Sequence, residues 1–143
     1  MTDQDLVNVI DSLDAVEGTS LLSRLSTTRP FVSTCPTDEV RALLNMIEEE
    51  EHHRQLLVDL LDRLNATPGP RPAIASGGEL NYMKLSTLVP YFLADKKRLI
   101  AQYENAAKLV AGRQPAADII ASITTSHRRH IEKLTAFKDK LAN

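Results

Sequence analysis

Four carboxylates run directly into two imidazoles at Glu48-Glu49-Glu50-Glu51-His52-His53. Met46 and Ile47 precede them, and Leu56, Leu57, Val58, Leu60 and Leu61 follow. The apolar spacing on both sides is helical, and residues three apart on a helix share a face. Two Glu-x-x-His pairs are therefore nested here, Glu49/His52 and Glu50/His53. Each offers an oxygen and a nitrogen to one metal ion. The stripe Leu43, Met46, Glu50, His53, Leu57, Leu60, Leu64 turns Glu50 and His53 inward and leaves Glu49 and His52 toward an edge.

Upstream, Thr2 with Asp3 and Asp5 reads as a capped helix start. Leu6, Ile10, Leu13, Leu21 and Leu25 recur at helical spacing, and the first helix is expected to end near Thr28, ahead of Pro30. Glu17 lies within that stripe. An inward carboxylate is costly unless it is paired or bound to a cation, and Arg24 on the same face is the ordinary partner to expect. After a loop over 29–36, Thr37 caps the second helix, which stops near Asn65 because Pro68-Gly69-Pro70 and Pro72 follow. Residues 65–81 are rich in Pro, Gly, Ala and Ser and read as a crossover along the length of a bundle.

The third helix is expected from Ser86 or Thr87, with Pro90 in its first turn. Its stripe is Leu88, Phe92, Leu99, Tyr103, Ala106 and Val110, and Asp95 falls on it; Gly112 ends it. Pro115 suits the start of a fourth helix with the stripe Ile119 or Ile120, Ile123, His127, His130, Leu134, Phe137, Leu141. Each of the four helices thus interrupts its apolar face with ionisable residues: Glu17, Glu50 with His53, Asp95, and His127 with His130. At about 1.5 Å rise per residue these lie roughly 12–22 Å from their helix starts, so antiparallel packing brings them to one level. Carboxylate and imidazole together suit iron, manganese or zinc.

The composition narrows the alternatives. At 143 residues the chain is expected to form one all-α domain, 1–143. A net charge of −2 gives no basic footprint for nucleic acid. No apolar run is long enough to span a bilayer and no signal peptide is read, so no membrane partner and a cytoplasmic location are expected. One cysteine, Cys35, excludes an internal disulfide and a Cys-x-x-Cys metal site.

On these residues the chain resembles the ferritin-like superfamily, in particular bacterioferritin and rubrerythrin-type di-iron carboxylate domains. That pattern sets a Glu on each of two helices and a Glu-x-x-His on each of the other two, with one long crossover in the ferritin-like connectivity. Glu17 matches the first Glu. Glu50-Glu51-His52-His53 matches the first Glu-x-x-His, which implies Glu50 as the central, bridging carboxylate. His127-Arg128-Arg129-His130 resembles the second motif, with His127 where the pattern has a bridging Glu. The third-helix Glu corresponds to Asp95, or alternatively to Lys96, which supplies no ligand. The implied set is Glu17, Glu50, His53, Asp95, His127 and His130. Its lower negative charge leaves a dinuclear site, a mononuclear site and zinc all open.

The resemblance implies a four-helix bundle with the crossover between helices two and three. It implies a non-haem iron oxidoreductase, ferroxidase- or peroxidase-like, acting on iron, oxygen or peroxide as a homodimer. No Met follows Glu50 to suggest a haem ligand, and no Cys pairs supply a rubredoxin-like donor. The alternative is a non-catalytic bundle with a degenerate or structural zinc site, working through protein association.

Overall fold

The computed structural model describes residues 1–25, 37–71 and 85–141. Its elements are α1 (Asp3–Gly18), α2 (Leu21–Leu25), α3 (Thr37–Arg63), α4 (Leu85–Leu109) and α5 (Ala116–Leu141). α1 opens with a capping box: Thr2 accepts from the Asp5 amide while the Asp5 carboxylate accepts from the Thr2 amide. α3 closes at Asn65, which adopts a left-handed φ of 56° so that the Ala66 amide can reach the Leu61 carbonyl. Gly112, φ 82°, follows the end of α4. Among the described residues no helix is long and apolar enough to cross a membrane.

The expected first helix is broken. It does not run on toward Thr28: α1 ends at Gly18, and Ser20 restarts the chain as α2. The Ser20 hydroxyl accepts the Ser23 amide, which is the geometry of a helix cap. Gly18 lies against the Arg54 guanidinium, which a Cβ there would meet at 3.1 Å. The expected end at Thr28, the loop over 29–36 with Cys35, and most of the crossover beyond Arg71 lie outside the described residues. α4 starts one turn-fraction earlier than expected, at Leu85, which puts Pro90 inside the helix on an exposed face.

α1 packs chiefly on α3, and α4 on α5. The core lies in two apolar layers. One joins Leu6, Ile10 and Leu13 of α1 to Leu57, Leu60 and Leu61 of α3, Tyr103 and Ala106 of α4, and Ile120 and Ile123 of α5. The other joins Leu22, Leu43, Met46 and Ile47 to Leu88, Phe92 and Leu134. Early residues of α1 meet late residues of α3, and early residues of α5 meet late residues of α4, so each pair is antiparallel. Between the two layers lies a buried polar layer: Glu17, Ser20, Glu50, His53, Lys96, His127 and His130. The described helices form the all-α bundle expected from the sequence.

Candidate metal centre

The polar layer is built from every long helix. α1 contributes Glu17, α3 Glu50 and His53, α4 Lys96 and Tyr103, and α5 His127 and His130, all of them buried. Glu17 is fully buried. Its Oε1 accepts from Tyr103 Oη at 2.9 Å, His53 Nδ1 at 3.2 Å and His127 Nε2 at 2.5 Å, while Oε2 is buried without a partner. Arg24, the partner expected from sequence, lines a surface cleft with Tyr91, Asp95 and Arg98 instead.

Glu50 is satisfied differently. Its Oε1 accepts a short hydrogen bond from Ser20, and its Oε2 accepts from Lys96 Nζ at 2.5 Å. Lys96, 1% exposed, also lies 3.0 Å from His127 Nδ1. An ammonium only donates, so Nδ1 of His127 accepts and its Nε2–H is the one that points at Glu17. His130 donates from Nε2 to Glu49 at 2.9 Å, and its Nδ1 is buried without a partner. Ser126 also donates to Glu49, at 3.0 Å. The rings are close-packed, with centroids of His53 and His127 4.8 Å apart and those of His127 and His130 5.6 Å apart.

Burial and charge set the protonation states. Desolvation pulls the Glu17 carboxyl upward, but the hydrogen bonds from His127 and His53 outweigh it and hold Glu17 below the usual carboxylate range. Burial pushes His127 down, only partly offset by its bond to Glu17. Burial and then the nearby Lys96 charge push His130 down to about 3. Two charged histidines beside an ammonium would cost far more than neutral rings that donate one N–H each, so Glu17 is ionised and the imidazoles of His127 and His130 are neutral. Burial and the Glu17 charge raise Tyr103 far above its ordinary value and keep its hydroxyl a donor.

Among the described residues, two groups of three place ligand atoms within 4.8 Å of one another: Glu17, His53, His127, and Glu50, His127, His130. The first is a two-histidine, one-carboxylate set, whose chemistry suits a divalent transition metal that displaces the protons His53 and His127 share with Glu17. The partnerless Glu17 Oε2 is an oxygen that a cation would satisfy. The second group has Lys96 against two of its three members, Glu50 and His127.

Of the six residues expected from sequence, the structure brings five together: Glu17, Glu50, His53, His127 and His130. Asp95 stands apart. It accepts from the Leu21 amide at 2.9 Å and from Arg98 at 2.9 Å, on the outer side of α4, because the neighbouring Lys96 holds the inward position. Sequence reasoning assigned no role to Ser20 or Ser126 and left Tyr103 as a core residue; none of these breaks an apolar stripe with a charge. Glu48, Glu51 and His52 are exposed, and Glu49 is half-buried at the rim.

Antiparallel helices around a mid-level layer of carboxylates and imidazoles, with a long connection from α3 to α4, define a ferritin-like helical bundle. The fold is similar to that of the bacterioferritin of Desulfovibrio desulfuricans, with a TM-score of 0.82 at 12% identity over 99% of this chain and 82% of that one. That structure is described as showing a diiron site in different catalytic states. No family model matches the chain, and no curated protein sequence matches it.

Proposed function

We propose that this ferritin-like bundle binds one divalent metal ion on Glu17, His53 and His127 and serves as a non-haem metal oxidoreductase toward iron, oxygen or peroxide. The carrying observation is the ionised, fully buried Glu17 with one oxygen lacking a partner, beside two imidazoles at hydrogen-bond distance. The likeness of fold to a protein described with a diiron site supports iron as the ion; manganese and zinc suit the same donors. A redox-active ion on such a set supplies Lewis-acid and electron-transfer chemistry at its open positions. The chain's own residues do the rest. Tyr103 fixes the Glu17 carboxylate through its hydroxyl, Lys96 neutralises Glu50, and the two apolar layers keep bulk water from the centre.

A second reading rests on a specific observation. The Lys96–Glu50 ion pair and the His127–Glu17 hydrogen bond already satisfy much of the layer, as in a metal-free polar network that only specifies the bundle. Metal analysis separates the two. Full-length protein reconstituted anaerobically with Fe2+, Mn2+ or Zn2+ and desalted is expected to retain about one ion per chain. Glu17→Ala is expected to weaken uptake by more than the roughly 10–100-fold that loss of an outer-shell partner costs. A wild-type chain that takes up no ion at neutral pH, with its helical signal intact, overturns the metal reading in favour of the network.

A further inference from the structure

Two three-donor groups share His127, which presents Nε2 toward Glu17 and Nδ1 toward Lys96. The second group, Glu50, His127 and His130, is buried throughout. It also contains an unpartnered nitrogen, His130 Nδ1. By donor chemistry it is as good a metal group as the first. What differs is Lys96, whose Nζ lies 2.5 Å from Glu50 Oε2 and 3.0 Å from His127 Nδ1.

We infer that Lys96 sets the ion stoichiometry of the centre: its ammonium occupies the Glu50–His127–His130 group as a built-in cation and excludes a second metal ion from it. The inference deepens the single-ion reading above and rests on it for the wild-type count. The charges agree. Glu17, Glu50, Lys96, one divalent ion and a His127 whose Nε2 proton that ion displaces leave the buried layer neutral. A carboxylate in place of Lys96 together with two divalent ions, His127 binding one through each nitrogen, leaves it neutral as well. One residue therefore exchanges a one-ion centre for a two-ion centre without altering the electrostatic balance. Lys96 is held to this position by its own helix, because Val89, Phe92, Leu93, Leu99, Ile100 and Tyr103, at helical spacing around it, are all buried. Its Nζ is thus delivered into the centre with no route to solvent.

The test counts ions. Wild type, Lys96→Glu and Lys96→Met, all full-length, are titrated with Co2+ and their bound metal measured after desalting, with helical circular dichroism as the fold check. Expected are about one ion per wild-type chain, two per Lys96→Glu chain, and a second, weaker ion for Lys96→Met, which removes the charge at similar bulk. If both folded variants retain one ion, the inference falls while the single-ion reading stands. If the wild type takes none and a variant gains one, the inference survives and the wild-type reading falls; if none takes any, both fall. Two ions on the wild type at excess Co2+ overturn the inference whatever the variants do. Should neither variant fold, that wild-type titration decides it, and a firm stop at one ion supports the ammonium as the excluded ion's stand-in.

Discussion

The neutral, buried His130 makes the metal-free protein acid-sensitive by a calculable amount. In the unfolded chain the imidazole titrates near its ordinary 6.5, whereas in the bundle it is pushed down to about 3. Between those values the unfolded chain binds a proton that the folded chain does not, so stability falls as pH falls. The full contribution is present above 6.5, and the loss proceeds at about 1.4 kcal/mol per pH unit until pH approaches 3. From pH 7.5 to 4.5 the loss amounts to roughly 2–3 kcal/mol, against a typical total of roughly 5–15 kcal/mol.

Other groups titrate over the same range, so the measurement is a difference. His130→Gln keeps an N–H donor for Glu49 but no titrating ring. Urea unfolding followed by circular dichroism, in the presence of a chelator, gives the stability of both proteins at pH 7.5 and 4.5. Wild type is expected to lose roughly 2–3 kcal/mol more than the variant over that interval. Equal losses would refute the burial of a neutral imidazole at this position, because His130 would then titrate in the bundle as it does in the unfolded chain.

Two further outcomes follow from the residues around the centre. Asp95→Ala removes the acceptor of the Leu21 amide and of Arg98 but no group of the polar layer, so it is expected to cost about 1 kcal/mol in urea unfolding and leave metal stoichiometry unchanged. Asp14, 2% exposed in its side chain, accepts from Arg54 at 3.4 Å and from Arg71 at 2.9 Å and ties the start of the crossover to α1. Asp14→Ala is expected to cost about 2 kcal/mol by the same assay, again without changing the number of ions bound.

The second-helix register was legible because its signal is redundant. Glu50 and His53 have Met46, Ile47, Leu57 and Leu60 around them at helical spacing, and the structure buries that pair while leaving Glu49 at the rim and His52 exposed. The third helix misled for a physical reason. On a stripe of Leu88, Phe92, Leu99 and Tyr103, Asp95 and Lys96 each lie about 50° from the centre at roughly 100° per residue, so charge chemistry favoured the carboxylate. The second apolar row decides the matter: Val89, Leu93 and Ile100 lie on the Lys96 side, while Tyr91, Arg98 and Gln102 surround Asp95. The break after Gly18 was less accessible, because Leu21 continues the stripe of Leu13 and Glu17 and conceals the restart at Ser20.

That break and the lysine act together on Glu50. Ending α1 at Gly18 puts the Ser20 hydroxyl on Glu50 Oε1 and the Leu21 amide on Asp95, which the apolar rows of α4 leave on the outer side. The residue those rows turn inward is Lys96, and it takes Glu50 Oε2. Both oxygens of the carboxylate expected to be most central are thereby engaged by the protein itself. Glu17, by contrast, retains an oxygen with no partner. Metal affinity in this centre is therefore expected to depend on the α1 carboxylate more than on the Glu-Glu-Glu-Glu-His-His stretch. Glu17→Ala is expected to weaken uptake of the first ion more than Glu50→Ala does. The reverse order, measured by the same metal analysis, would return the primary site to Glu50.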